Sequence, residues 1–578
     1  MLQKIILLLV FMGIQYTYAQ DRIDNFGNPD PFNTNQQRND TSKVVKRKGK
    51  ILNDSLQIIY GPHTTFHFYE KDWFNNTQKL YITDTTLTHF HRYNFVQQNE
   101  NKLHNLGNLA TPANPIFFQT PQNIGVRNGI TAFDFIELDE TNIKQFNTKS
   151  PHSSWYYAQG GQGRSFLDAS LAQNINERIN VGGLYRRLTN NLLIGTQRQD
   201  NQTRHADHQN IMLHASGVSK NQRYQVMGYL SFYRHRLTES GGLLYDQDTL
   251  TNLRSLYELE QGDLDNRLSD AEGLQQKNKM RLYHQYTLID SSNFQLYHIF
   301  DWSSRKNTFQ DATLDTIQQL YSHFYINKDT TSTSHRYRFN EMDHRLGVKW
   351  RHKQLFMAAY YRYKNFSAVH QPLSNEQVPY DLKNQHFLGF IGNYTINDTT
   401  QLLFEGEQLL FNDYRLSATL KTKFLTAKYT RAFYSPSLFE QYYYGNHFIW
   451  QNNNFDNTLT DELEGMIQIP LKKHNIRPYA KITNTVDYIY YNEQAMPEQA
   501  DERITLLQIG MRFNGRLGKY FIYDGEFIYT ENSNSTAFQV PRFFSNFQFA
   551  LEKELFKGAL PAQIGFDVHW RSAYFADA

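Results

Sequence analysis

Short stretches in which apolar and polar side chains alternate recur along this chain. In segment 344–351, His344, Leu346, Val348 and Trp350 alternate with Arg345, Gly347, Lys349 and Arg351. Segments 507–514 and 563–571 repeat the pattern. A two-residue period is that of a β-strand with one apolar face. The chain is therefore predicted to be all-β, either a soluble sandwich or a barrel whose outer face contacts lipid.

The connections between the predicted strands separate these two folds. Tight polar turns such as 219–222 and 515–518 alternate along the chain with long connections such as 237–279 and 305–341. One link breaks this alternation, because 412–413 is short where a long connection is expected. Outer-membrane barrels place short periplasmic turns opposite long external loops, whereas a sandwich has no reason to segregate them. The pattern favours a large antiparallel transmembrane β-barrel of about 16–20 strands with a polar N-terminal periplasmic extension.

The first residues predict export. Lys4, the apolar run 5–14 and the small residues Thr17 and Ala19 are typical of a secretory signal peptide covering 1–19. The run is too short for a membrane-spanning helix. We expect a polar linker at 20–55, a periplasmic or barrel-associated segment at 56–152, and the barrel at 153–578, in the cell outer membrane.

Strand parity gives a further expectation. Nineteen strands are predicted, whereas bacterial single-chain barrels usually have an even number. The sequence ends at Ala578 without a terminal aromatic residue. We therefore expect the barrel to lack its last strand or strands.

Composition excludes several classes of protein. The 59 Lys+Arg residues nearly balance 56 Asp+Glu, giving a net charge of +3, so no global field favours nucleic acid. The chain has no cysteine, which excludes disulfides and cysteine-ligated metals. A 15% aromatic content with only 40% hydrophobic residues does not fit a helical membrane protein.

Candidate chemistry is sparse, and we expect neither an enzyme nor a cofactor. His89 and His91 have no obvious third ligand, so ordinary surface histidines are favoured over a metal site. The run 160–163 contains three glycines but favours a hairpin turn over a phosphate cradle. The carboxylates Glu258, Glu260, Asp263, Asp265 and Asp270 favour a solvated loop over a Ca²⁺ site.

If the apolar faces contact lipid, the polar faces line the lumen. Nine charged residues of the predicted strands are then candidates for the pore lining: Asp343, Arg345, Lys349, Arg351, Arg512, Asp524, Glu526, Asp567 and Arg571. Opposed cations and carboxylates would either create a transverse field that favours polar solutes or form salt bridges that brace the wall. A lumen of this strand number would be open unless loops or the N-terminal segment fill it.

Several short runs resemble a known family. They are 105–109 (NLGNL), 114–118 (NPIFF), 146–151 (FNTKSP), 173–176 (QNIN), 434–442 (YSPSLFEQY) and 444–448 (YGNHF). In order and spacing they are similar to the "putative porin" outer-membrane barrels of Bacteroidetes-type Gram-negative bacteria, from about residue 55 onward. The resemblance implies an outer-membrane barrel for passive transport.

The leading prediction is a porin-like channel for passive diffusion of small hydrophilic solutes. Its expected partners are outer-membrane lipid and lipopolysaccharide, the barrel-assembly machinery and small polar solutes, with no nucleic acid; the oligomeric state is left open. The alternative is a structural or accessory barrel subunit of a secretion or assembly complex. A TonB-linked receptor ranks third, because no coupling box precedes the N-terminal segment, and an outer-membrane enzyme ranks last.

Overall fold

The computed structural model describes residues 64–575, apart from 78, 85, 88, 193–203, 244–265, 290–292, 313, 315–320, 322, 327–330, 374–375 and 381–383. The predicted signal peptide and linker lie outside these residues, as do Glu258, Glu260, Asp263 and Asp265. Among the described residues, no helix is both long and apolar enough to cross a membrane.

One antiparallel sheet forms the wall of the molecule and curls into a closed barrel. Its strands are β6 His152–Gln159, β7 Ser165–Asn176, β8 Ile179–Asn190, β9 Ala206–Val218, β10 Tyr224–Thr238, β11 Ala271–Ile289, β12 Phe294–Asp311, β13 Thr333–His352, β14 Leu355–Leu373, β15 Glu376–Tyr380, β16 Gln385–Asn397, β17 Thr400–Leu409, β18 Tyr414–Lys421, β19 Leu425–Tyr434, β22 Thr458–Ile467, β23 Ile469–Leu471, β24 His474–Val486, β27 Ile504–Leu517, β28 Phe521–Asn532, β29 Phe543–Leu555 and β30 Leu560–Arg571. The predicted fold class is confirmed.

Two of these twenty-one strands do not cross the wall separately. β15 extends a hairpin from the end of β14, and β23 continues β22 along β24. The described wall therefore has nineteen crossings, and because their directions alternate, β6 and β30 run the same way. The expected absence of closing strands stays a prediction.

Several strands are longer than the sequence predicts. β11 begins at Ala271, inside the predicted loop 237–279, and β12 and β13 reach Asp311 and Thr333, inside the predicted loop 305–341. Backbone pairing between β12 and β13 continues to Asp311↔Thr333. Beyond the hydrocarbon layer an outward residue need not be apolar, so alternation stops marking the strand before the pairing does.

Some of the long connections between wall strands contain small hairpins. Two of these hairpins are β20 Tyr442–Tyr444 with β21 Ile449–Gln451, and β25 Ile489–Tyr491 with β26 Pro497–Gln499. Helix α3, Leu438–Gln441, precedes the first of them and is capped by Ser437. A 3₁₀ turn, Phe556–Gly558, joins β29 to β30.

Residues 64–151, here called the lumen segment, precede the wall. The segment contains β1 Thr65–Phe68, α1 Glu70–Phe74, β2 Tyr81–Ile82, α2 Phe95–Gln98, β3 Leu103–Asn105, β4 Ala113–Pro115, the 3₁₀ turns Asp134–Ile136 and Glu140–Asn142, and β5 Gln145–Thr148. β1 pairs with both β2 and β5, and β3 pairs with β4.

The buried core lies between the lumen segment and the inner face of the wall. Within the described residues there are seven hydrophobic clusters, and each combines residues of both parts. Phe95 and Ile136 pack with Phe166 and Leu188, for example, and Ile124 packs with Phe387 in another sector. The lumen segment therefore fills the interior of the barrel.

The outer face is apolar and exposed. Leu346 and Val348 on β13 and Ile509 and Met511 on β27 are all exposed, while Lys349 between the β13 residues is only 1% exposed. This is the orientation that the alternation predicts, with apolar side chains outward and charged ones inward. In a bilayer the ladder satisfies the backbone polar groups while these side chains contact lipid.

Candidate functional site in the barrel lumen

Four cations on β11 and β12 form the centre of the candidate site, and they are here called the basic patch: Lys277, Lys279, Arg281 and Arg305. The three β11 residues are two apart, so they project from one face of the strand. Arg305 lies directly opposite Lys277 in the β11–β12 ladder. The patch therefore faces the lumen as one cluster of positive charge.

Carboxylates of the lumen segment bind the basic patch. Lys277 is 2% exposed and contacts both Asp134 and Glu137. Lys279 Nζ lies 2.8 Å from Glu137 and 3.3 Å from Glu140, and Arg305 lies 3.2 Å from Asp134. Because a buried cation is costly without a counter-charge, these carboxylates stabilise the contact between the lumen segment and the wall.

Local structure presents these carboxylates to the wall. Asp134 and Glu140 begin the two 3₁₀ turns of the segment, and Glu137 follows the first turn. A three-residue spacing across the first turn keeps Asp134 and Glu137 on one side of the chain, and the second turn brings Glu140 to Lys279. Tyr229 on β10 extends the contact, since its hydroxyl donates to Glu140 at 2.6 Å.

Arg281 joins helix α1 to the wall. Its guanidinium donates to Glu70, the first residue of α1, at 2.7 Å and to Asp301 on β12 at 2.6 Å. The guanidinium fork can hold two carboxylates at once. One side chain thus ties the lumen segment to two wall strands.

The carbonyl end of α1 is held by β13. Lys349 donates to the carbonyl oxygens of Trp73 and Phe74 at 2.7 and 2.8 Å, and Arg351 donates to that of Asn75 at 2.9 Å. The last carbonyls of a helix have no partner within the helix, and they carry its negative partial charge. These two predicted pore-lining cations therefore bind the lumen segment.

Two other predicted residues of β13 pair within the wall. Asp343 accepts from Arg362 at 2.6 Å, and Arg345 lies 3.9 Å from Glu407 and stacks over the Tyr360 ring at 4.6 Å. Such contacts brace neighbouring strands.

A second charged region lies on β27–β30. Glu526 is 2.5 Å from Lys102 of the lumen segment, 2.8 Å from Arg512 and 2.9 Å from the Tyr479 hydroxyl. Asp567 lies 2.7 Å from His91.

The remaining two predicted residues take less part in these contacts. Arg571 approaches Tyr574, and Asp524 lies opposite Asn514 in the β27–β28 ladder. The nine predicted residues thus fall into two groups, on β13 and on β27–β30, rather than one site. Their role as a pore lining stays a prediction.

Sequence reasoning missed the basic patch. Lys277 and Lys279 fell within the predicted loop 237–279, because the outward residues between them do not form an apolar run. The every-second-residue spacing of Lys277, Lys279 and Arg281 was the available signal. The carboxylates of residues 134–140 gave no signal, since their segment has no regular period.

The other candidates from the sequence include a glycine-rich turn and two histidines. Residues 160–164 form the tight connection between β6 and β7, as predicted, with Gly163 at φ +60°. His91 pairs with Asp567, and burial is the first cause that lowers the pKa of His89, which the Arg92 charge lowers further. Within the described part of the chain, no group of three or more His, Cys, Asp or Glu residues could hold a metal ion.

Solved structures similar to this chain include a transporter and uptake receptors. No curated protein sequence matches the chain. The ferric yersiniabactin uptake receptor FyuA from Yersinia pestis aligns with a TM-score of 0.50 and 10% identity over 73% of this chain and 68% of that one. The siderophore receptor PirA from Acinetobacter baumannii gives 0.48 and 9% over 70% and 66%, and the copper transporter OprC gives 0.47 and 9% over 70% and 65%.

At these identities the likeness concerns the fold alone. The chain spans just under two thirds of the length of OprC and PirA. The family described as "Putative porin" matches residues 65–578, nearly the whole described chain. With its closed barrel, apolar outer face and charged interior, this chain belongs to the "Putative porin" family.

Proposed function

We propose that this protein is an outer-membrane channel for passive diffusion of small hydrophilic solutes, and that the lumen segment controls their passage. The observation that carries the proposal is the docking of residues 64–151 against the inner wall in all seven buried clusters. A solute can then cross only when the segment shifts within the barrel. No cofactor is required, because diffusion down a gradient needs none.

The nature of the contacts supports control by movement. The polar contacts between the lumen segment and the wall include single side-chain hydrogen bonds. The Thr120 hydroxyl donates to Glu462 at 3.1 Å, and the Asn101 amide donates to Asn546 at 2.9 Å. Such contacts can be replaced by bonds to water or to a small polar solute that enters the gap, because a bridging water is nearly as favourable as a direct hydrogen bond. In the membrane, the proposed partners are outer-membrane lipid and lipopolysaccharide, with the barrel-assembly machinery acting during insertion.

The test is the conductance of the purified full chain in planar bilayers. We expect brief stepwise openings from a mostly closed state. Since the chain has no cysteine, the variant carrying both Asn101→Cys and Asn546→Cys places one thiol on the segment and one on the wall. Bridging them with a bismaleimide should abolish the openings. Each single-cysteine variant, treated in the same way, is the matched control and should still open.

Two outcomes would count against this function. Absence of stepwise conductance in any salt would reject the channel. Unchanged openings after verified cross-linking would reject the control by the lumen segment.

A second candidate is an accessory barrel subunit of a secretion or assembly complex. The filled lumen also favours this function, because a barrel that serves as a scaffold has no need of an open pore. Co-purification of a stoichiometric partner from outer membranes, together with absence of conductance, would select it over the channel.

A further inference from the structure

The inner face of one wall sector carries an excess of positive charge. On β11–β14, histidines aside, the inward positions hold nine cations and four carboxylates. The cations are Lys277, Lys279, Arg281, Arg305, Arg345, Lys349, Arg351, Arg362 and Lys364, and the carboxylates are Asp301, Asp311, Glu341 and Asp343. The register aligns them on one face.

The wall neutralises only some of these cations itself. Arg362 pairs with Asp343 at 2.6 Å, Lys364 pairs with Glu341 at 2.9 Å, and Arg281 has Asp301 at 2.6 Å. Among the described residues, the carboxylates within ion-pair distance of Lys277 and Lys279 are those of the lumen segment. Arg305 likewise pairs with Asp134.

Lys349 and Arg351 of this sector donate to neutral oxygen atoms rather than to carboxylates. Lys349 is 1% exposed, and its polar contacts are two backbone carbonyls and the Tyr283 hydroxyl. Arg351 donates to the carbonyl of Asn75. A buried cation served by neutral oxygens gains further stabilisation when an anion approaches.

We propose that the permeating solutes are small oxyanions, bearing carboxylate or phosphate groups, that replace Asp134, Glu137 and Glu140 on the basic patch. This inference rests on the proposed channel function and specifies its solute class. The exchange keeps charge balanced, since one oxyanion takes the place of another on the same lysines and arginine. A cation or a neutral sugar cannot make this exchange, because either one would leave the buried Lys277 and its neighbour Lys279 without an anionic partner.

The test measures the reversal potential of the full chain in planar bilayers under a KCl gradient. Citrate or inorganic phosphate is then added, with glucose as the neutral comparison. We expect chloride to permeate better than potassium, and citrate or phosphate to raise the open probability while glucose does not. A response to only one of the two anions would identify which oxyanion the patch accepts.

Two double variants that remove the same charge separate the patch from a general charge effect. Lys277→Gln with Lys279→Gln removes two cations from the patch, whereas Lys472→Gln with Lys473→Gln removes two from an exposed turn. The first pair should abolish the anion preference and the response to citrate and phosphate, and the second should retain both.

The outcomes distinguish a failure of the oxyanion inference from a failure of the proposed channel function. Stepwise conductance that is cation-selective or unselective, or anion selectivity that survives the patch variant, overturns the oxyanion inference and leaves the channel standing. Absence of conductance in the unaltered protein overturns both. Conductance steps in the patch variant also show that it has folded and inserted.

Discussion

At the scale of single residues, the interior resembles a protein core more than a water-filled pore. Lys277 and Lys349 are almost fully buried, and the amino group of each contacts several polar partners, carboxylates for Lys277 and backbone carbonyls for Lys349. Removing one partner of such a contact is more damaging than removing an exposed ion pair, because the remaining charge has no water to solvate it.

Replacing Lys277 with Met should destabilise the protein. The change leaves Glu137 and Asp134 without their shared cation, and it should cost about 3 kcal/mol of unfolding free energy. Urea titration of the protein in detergent, followed by circular dichroism, measures the cost. An unchanged midpoint for Lys277→Met alone would contradict the buried pairing.

Glu239 directly follows the last residue of β10, Thr238. Its carboxyl should make the free energy of unfolding depend on pH. Burial raises the pKa of its carboxyl to about 7. The folded state therefore prefers the protonated form, and its stability falls as pH rises from the ordinary carboxyl pKa through about 7. Glu239→Gln should raise the melting temperature at about pH 8 and leave it unchanged at about pH 4. An equal effect at both pH values would show that ionisation is not the cause.

At the scale of strands, inward glycines allow aromatic rings to lie across the wall. Gly510 faces Tyr479 directly in the β24–β27 ladder, and Gly389 faces Tyr360 in the β14–β16 ladder. A Cβ on either glycine would lie 2.2 Å from the tyrosine ring. Each tyrosine hydroxyl then reaches a carboxylate, Glu526 or Glu407. The glycines thus help to position two of the charged groups of the lumen.

Gly510→Ala should destabilise the wall by about 1–3 kcal/mol, because the new methyl group displaces the Tyr479 ring from its carboxylate. Gly465→Ala on β22 is the matched control, since a Cβ there has no neighbouring atom within 4 Å. The control should be neutral or slightly stabilising. Denaturant midpoints of the two variants, compared side by side, provide the measurement, and equal midpoints would contradict the packing argument.

At the scale of the whole molecule, segment and wall form one folding unit. Because all seven clusters contain residues from both parts, neither part retains a complete core without the other. Interiors packed in this way unfold cooperatively.

We therefore expect a single thermal transition of the full chain in detergent. Calorimetry should show one heat-absorption peak, coincident with the loss of β-structure seen by circular dichroism. An earlier, separate peak without loss of β-structure would mean that the lumen segment unfolds independently of the wall.

The sequence by itself determined the strands of the wall and which residues share a face of each strand. Lipid requires apolar side chains on one face of every strand, so segments such as 344–351 and 507–514 show the two-residue period without any tertiary information. Only the tertiary structure decided what the inner face contacts. Water and protein both accept Lys349 or Glu526 there, and the partners Trp73 and Lys102 lie hundreds of residues away in a segment without a regular period. Contacts between such distant residues leave no local pattern, so the filled lumen and the basic patch became visible only in the folded chain.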